Sequence, residues 1–168
     1  MARTLWLYNL YRAFCTAHLH KAVFVFVFLQ RGLSMAEILL LQTIFTATAF
    51  ALEVPTGAWA DRLGRRRSMR LGALLMAMAS VGYYFAPGFL ALALAEIAFA
   101  AGLTLTSGAD SAYLFDQLKA AGRAREYLRR ESAASAAKYI GLGIAAAAGG
   151  VLAWVRSPDA TFLVTAAT

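Results

Sequence analysis

The residues of this chain best suited to chemistry are the ionisable and amide side chains that interrupt its long apolar runs. A charge or amide in such a run is costly unless it is paired or faces water, so each marks a candidate functional position. At about 100° per residue along a helix, Asn9, Arg12, Thr16 and His20 fall within about 80° of one another, while His18 and Lys21 point elsewhere. Gln42, Thr46, Ala49, Glu53 and Gly57 form a second line, and Glu96, Ala100, Leu103, Ser107 and Asp110 a third. Three narrow polar stripes on apolar helices imply a shared aqueous cavity, because the same groups would otherwise meet hydrocarbon. Such a cavity suits passage of a small polar molecule. His20 and Glu96 are the groups placed to carry a coupled H+, the first because an imidazole titrates near neutral pH and the second because a carboxyl in an apolar setting is a natural proton carrier. The structural alternatives are that Arg12 snorkels or pairs locally and that Glu53 anchors the turn beyond it.

Other chemistries find little support. No His-Glu-x-x-His or Gly-x-Ser-x-Gly motif occurs, and Ser107-Gly108 has no base on its own face, so the reading is not an enzyme. No metal or other cofactor is expected. Cys15 is alone, and His18 and His20, two residues apart on a helix, diverge by about 200°.

The elements that must position these groups follow from composition. The chain has 168 residues, 61% of them hydrophobic, with a mean hydropathy of +0.61. That exceeds the roughly 45–50% typical of soluble domains. The formal charge of +7 would suit a nucleic-acid binder if Lys and Arg formed one stripe, but they lie between apolar runs, and no nucleic-acid partner is expected. The N-terminal run is interrupted by Arg12 and Lys21 and lacks a small-residue cleavage site, so it reads as a retained helix rather than a signal peptide.

Crossing a bilayer takes about 20 mostly apolar residues, and five stretches qualify: 5–29, 35–59, 69–86, 89–109 and 133–155. A sixth begins near residue 160, so the chain reads as truncated at its start. Ser34 is placed to cap the second span, and Ala86-Pro87-Gly88 makes a tight antiparallel turn. Residues 111–131 form an amphipathic interfacial connection with a break at Gly122. Gly141, Ala145 and Gly149, four apart in the fifth span, make a small-residue face for close helix packing. Of the 16 Lys and Arg residues, 11 fall on one side, counting Arg3, while Arg31 and Arg156 alone fall on the other. By the positive-inside rule the N-terminus is cytoplasmic, and the expected location is the plasma (bacterial inner) membrane.

Between the second and third spans runs Gly57-Ala58-Trp59-Ala60-Asp61-Arg62-Leu63-Gly64-Arg65-Arg66-Arg67. Here Gly57 would admit another backbone, Asp61 would bind free amides of the turn, and Gly64 would supply a positive φ. A solvated basic loop explains the arginines but not the acid and glycines at these offsets.

This segment resembles the signature of the major facilitator superfamily, Gly-x-Leu-Ala-Asp-Arg-x-Gly-Arg-Arg/Lys, with Trp59 in place of the usual Leu, and it occupies the same position between the second and third helices. Glu53-Val54-Pro55-Thr56-Gly57 and Ser107-Gly108-Ala109-Asp110-Ser111-Ala112 extend the likeness. The resemblance implies an all-α membrane protein, a polytopic transmembrane helix bundle forming the N-terminal half of a 12-helix fold. It further implies a conformational latch built on Gly57, Asp61, Arg62, Gly64, Arg65 and Arg66, with Asp110 expected to pair with Arg62 or Arg66. The expected function is secondary active transport of a small molecule by alternating access, with efflux favoured. The expected partners are the lipid bilayer, a small-molecule substrate, and a C-terminal half or second copy. The rival expectation is a non-transporting membrane scaffold or partner-binding half-molecule. Glu96 stands where many proton-coupled members carry Arg, and Ala145-Ala146 precede Gly149-Gly150 where antiporters often have Gly-Pro.

Overall fold

Apolar segments with few breakers satisfy their backbone groups within helices, which is the arrangement hydrocarbon demands. A computed structural model describes residues 2–168, with side chains from Leu5 onward, so the side chain of Arg3 lies outside the described residues. The described residues form eight α-helices: α1 (Ala2–Phe14), α2 (Phe24–Gln30), α3 (Met35–Leu63), α4 (Arg65–Phe85), α5 (Phe89–Thr106), α6 (Ala109–Ala120), α7 (Tyr127–Val155) and α8 (Ala160–Ala166). Among the described residues there is no strand.

The stretch expected as a single first span is two helices. Between α1 and α2 the chain unwinds from Cys15 and passes through a 3-10 turn at Leu19–Ala22. No proline or glycine marks this break. In the link α7 approaches so closely that a Cβ on Gly149 would collide with the Leu19 carbonyl. Lower on the same face, a Cβ on Gly141 would stand 2.8 Å from the Ala13 carbonyl oxygen, and Ala145 between them is buried. The small-residue face of α7 thus lies against α1 and the link.

Helix α3 begins with a capping box, in which the Glu37 amide donates to Ser34 Oγ at 3.3 Å and the Ser34 amide donates to Glu37 Oε2 at 2.8 Å. It runs through Pro55 to Leu63, four residues beyond the expected end, and turns into α4 at Gly64, whose φ of 91° is accessible mainly to glycine. Helix α5 lies between α3 and α4. Its tightest approach is Gly72 to Gly102, where a Cβ on either residue would come within 2.7 Å of the other's carbonyl oxygen.

Four stretches are long and apolar enough to cross a bilayer: Leu5–Gln30, Met35–Leu63, Phe89–Ala120 and Ala124–Val155. The third expected span, 69–86, corresponds to α4 and its C-cap Ala86; α4 carries four arginines in its first six residues, is less apolar than these four stretches, and packs along the length of α5. Phe50 on α3 and Trp154 on α7 are 83% and 89% exposed, which suits side chains solvated by lipid rather than water. The interior is aromatic and aliphatic, with Phe28, Leu41, Tyr83, Leu92, Phe99 and Phe162 in its principal cluster. A second cluster, Leu5, Tyr8, Leu114, Leu118 and Ala134, joins α1, α6 and α7.

Candidate functional site

Two polar sites lie within this apolar frame. The first is a cavity of about 280 Å³ among α2, α3, α4, α5, α8 and the link between α1 and α2. Helix α5 contributes Glu96, which is only 5% exposed, and the Gln42 amide of α3 donates to its Oε1 at 3.3 Å. Lys21 lines the same cavity from its rim. The walls are aromatic, with Phe45, Tyr83, Phe99 and Phe162 among them. His20 is buried in this wall. Its ring stacks on Phe162 at 5.2 Å between centroids and meets Phe99 edge-on at 5.6 Å, and its Nδ1 lies 3.3 Å from Thr165 Oγ1. An acid, an amide and an amine between aromatic faces can hold a small charged molecule and strip it of water.

The second site is a buried ion cluster at the last turn of α1. Arg12 pairs with Asp110 and, through Nη2 at 2.9 Å, with Glu131 Oε1. Ser111 Oγ donates to the same Glu131 oxygen at 2.9 Å, and the Ser111 amide donates to Asp110 Oδ1 at 2.7 Å. Tyr8 and Ser135 reach the cluster at 3.5 Å. The expected pairing of Asp110 with Arg62 or Arg66 is therefore replaced by one with Arg12. The reason is backbone geometry: α5 ends at Thr106, Gly108 adopts a φ of 75°, and α6 starts in a new direction that turns Asp110 toward α1.

The unwinding after Phe14 also dissolves the first stripe. Arg12 goes to the ion cluster and His20 to the cavity wall, while Asn9 is half-buried in neither. Thr16 Oγ1 donates to the Arg12 carbonyl at 2.8 Å. His18, expected to point away, is 5% exposed, edge-on to Phe99 at 5.0 Å and 5.9 Å from His20. The helical angle that separated these two imidazoles does not apply in the link. Among the described residues no three His, Cys, Asp or Glu converge as a metal site would require.

On α3 only Gln42 of its stripe reaches the cavity. Thr46, which donates to the Gln42 carbonyl at 2.9 Å, and Glu53 are exposed, and Ala49 is half-buried. On α5, Ala100 is fully buried, Leu103 half-buried and Ser107 exposed.

The signature segment departs from expectation in two respects. Asp61 does not bind turn amides, because α3 is still helical there; it lies 3.6 Å from Arg65 instead. Gly57 meets no other backbone, with nothing within 4 Å of where its Cβ would stand. Arg65 Nε also reaches Asp116 Oδ2 on α6 at 3.0 Å, whereas Arg62 and Arg66 are exposed and form no ion pair among the described residues. The segment presents its charges outward.

Several contributors went unread in the sequence. Glu131 and Asp116 lie in the charged connection, where no periodicity separates a partner from a solvated acid. Arg31 pairs with Asp159 and donates to the Tyr83 carbonyl at 2.7 Å and the Tyr84 carbonyl at 3.3 Å, tying α2, α4 and the start of α8 together. Its isolation in a loop otherwise free of basic residues was the available signal.

Residues 13–168 match the family model described as Major Facilitator Superfamily. No curated protein matches the chain.

Proposed function

Because the chain belongs to the Major Facilitator Superfamily, an integral membrane family of transporters rather than enzymes, we propose that it moves a small molecule by secondary active transport. The observation that carries this reading is the Gln42–Glu96 hydrogen bond, which joins α3 and α5 beside a cavity between otherwise apolar helices. A carboxylate held there has no packing role that a leucine would not fill better.

Transport proceeds by alternating access, with outward movement the favoured direction and H+ the coupling ion carried at Glu96 or His20. A C-terminal half, in the same polypeptide or supplied as a second copy, forms the opposite wall of the pathway. The exposed charges of Asp61, Arg62 and Arg66, with the half-buried Arg65, the open surface at Gly57 and the turn at Gly64, form a latch that meets that half in one of the two states. An ion network made in one state biases the equilibrium by its differential energy alone. Asp110 contributes indirectly, by holding α6 against α1 through Arg12. The membrane is the plasma membrane, with the N-terminus and the basic segments on the cytoplasmic side. Solute flux into or out of proteoliposomes that depends on the protein tests this reading. Flux equal to that of empty vesicles across a broad solute panel would refute it.

A further inference from the structure

We propose that the cavity at Glu96 is a site for a small zwitterion, one carrying an ammonium, a carboxylate and an apolar side chain, as an apolar amino acid does. The proposal rests on the transport reading above and specifies its cargo.

Three observations carry it. First, the cavity contains one acid and one amine, Glu96 and Lys21. Among the described residues neither lies within 4.0 Å of an opposite charge. Opposite charges that line one cavity without closing on each other leave room for a ligand that satisfies both, its ammonium at Glu96 and its carboxylate at Lys21. A simple cation would leave Lys21 uncompensated, and a simple anion would leave Glu96 so. The second omission costs more, because Glu96 is 5% exposed whereas Lys21 at the rim keeps contact with solvent.

Second, the remaining wall is aromatic. Tyr83 and Phe99, 6.1 Å apart, form a surface with Phe45 suited to an apolar side chain and, through ring faces, to the ammonium as well. Third, the pocket these residues enclose holds about 280 Å³, close to the roughly 300 Å³ of the smallest ligand cavities, which suits a single small molecule. The Gln42 amide, already donating to Glu96, and the Tyr83 side chain beside the same carboxyl hold it in place at the cavity wall.

The test is equilibrium binding to the purified full protein in detergent, read by thermal shift and by titration calorimetry. The probes are L-phenylalanine, L-leucine and L-methionine, with 2-phenylethylamine and 3-phenylpropionate as analogues lacking one charge. At least one amino acid should bind and raise the melting temperature, with both analogues at least tenfold weaker. Lys21→Met should remove the preference for L-phenylalanine over 2-phenylethylamine while Lys21→Arg retains it, and Glu96→Gln should weaken every ammonium ligand. Lys21 is exposed, so its variants have little reason to misfold. Equal binding of the amine and the amino acid, or no binding of any of the three, overturns the proposal. Since flux of other solutes would survive that result, failure here is distinguishable from failure of the transport reading.

Discussion

Arg12 and Asp110, 98 residues apart in sequence, form an ion pair that joins α1 to the start of α6. Their side chains are 8% and 15% exposed, and Glu131 completes the cluster from α7. Removing one member of a buried ionic cluster leaves the others unpaired, which costs far more than a surface pair contributes.

Arg12→Ala should therefore destabilise the protein by roughly 3–5 kcal/mol, the range for breaking a buried pair. Asp110→Asn should cost less, because Glu131 still holds Arg12. Thermal unfolding in detergent measures both, and equal, negligible shifts would show that the cluster is solvated.

The close face of α7 makes a sharper comparison. Gly141→Ala would place a methyl 2.8 Å from the Ala13 carbonyl oxygen, whereas a Cβ at Gly143 meets nothing within 4 Å. Overpacking of this kind costs about 1–3 kcal/mol, so Gly141→Ala should lower the melting temperature and Gly143→Ala should not. The reverse order would contradict the packing of α7 against α1.

For the signature segment, stability and function should separate. The Asp61–Arg65 contact is long and Asp61 is 71% exposed at its side chain, so Asp61→Asn should change stability by less than about 1 kcal/mol. The latch role predicts that the same variant inserts normally yet loses most of its flux. Unimpaired flux would remove Asp61 from the mechanism.

Topology is testable with single cysteines on a Cys15→Ala background. Cysteines at Arg67 and Arg125 should react with an impermeant thiol reagent from the cytoplasmic side, and those at Gly32 and Pro158 from the outside. A mixed pattern would overturn the orientation inferred from the basic residues.

What the sequence made legible follows from the physics of each feature. Long apolar runs announce helices because hydrocarbon leaves the backbone no alternative, and the turns at Gly64 and Gly122 announce themselves because a positive φ favours glycine. The unwinding after Phe14 has no local signature: Cys15, Thr16 and Ala17 would be tolerated in a helix, and the close contact of the link with Gly149 of α7 is a tertiary feature. The stripe through Arg12, Thr16 and His20 was a periodicity argument applied to a helix that ends early. Gln42 and Glu96 stood on separate stripes, each readable alone, and their meeting depended on how α3 packs against α5. Asp110 was readable as a charged group at a helix end, but its partner was set by the direction the chain takes after Gly108.

The central claim is that Glu96 and its cavity serve transport. The most direct measurement is solute-driven proton movement in proteoliposomes loaded with a pH-sensitive dye, comparing the wild-type protein with Glu96→Gln. Adding solute to wild-type vesicles should change the internal pH, and Glu96→Gln, inserted equally, should abolish that change. Equal signals from the two proteins would contradict the claim.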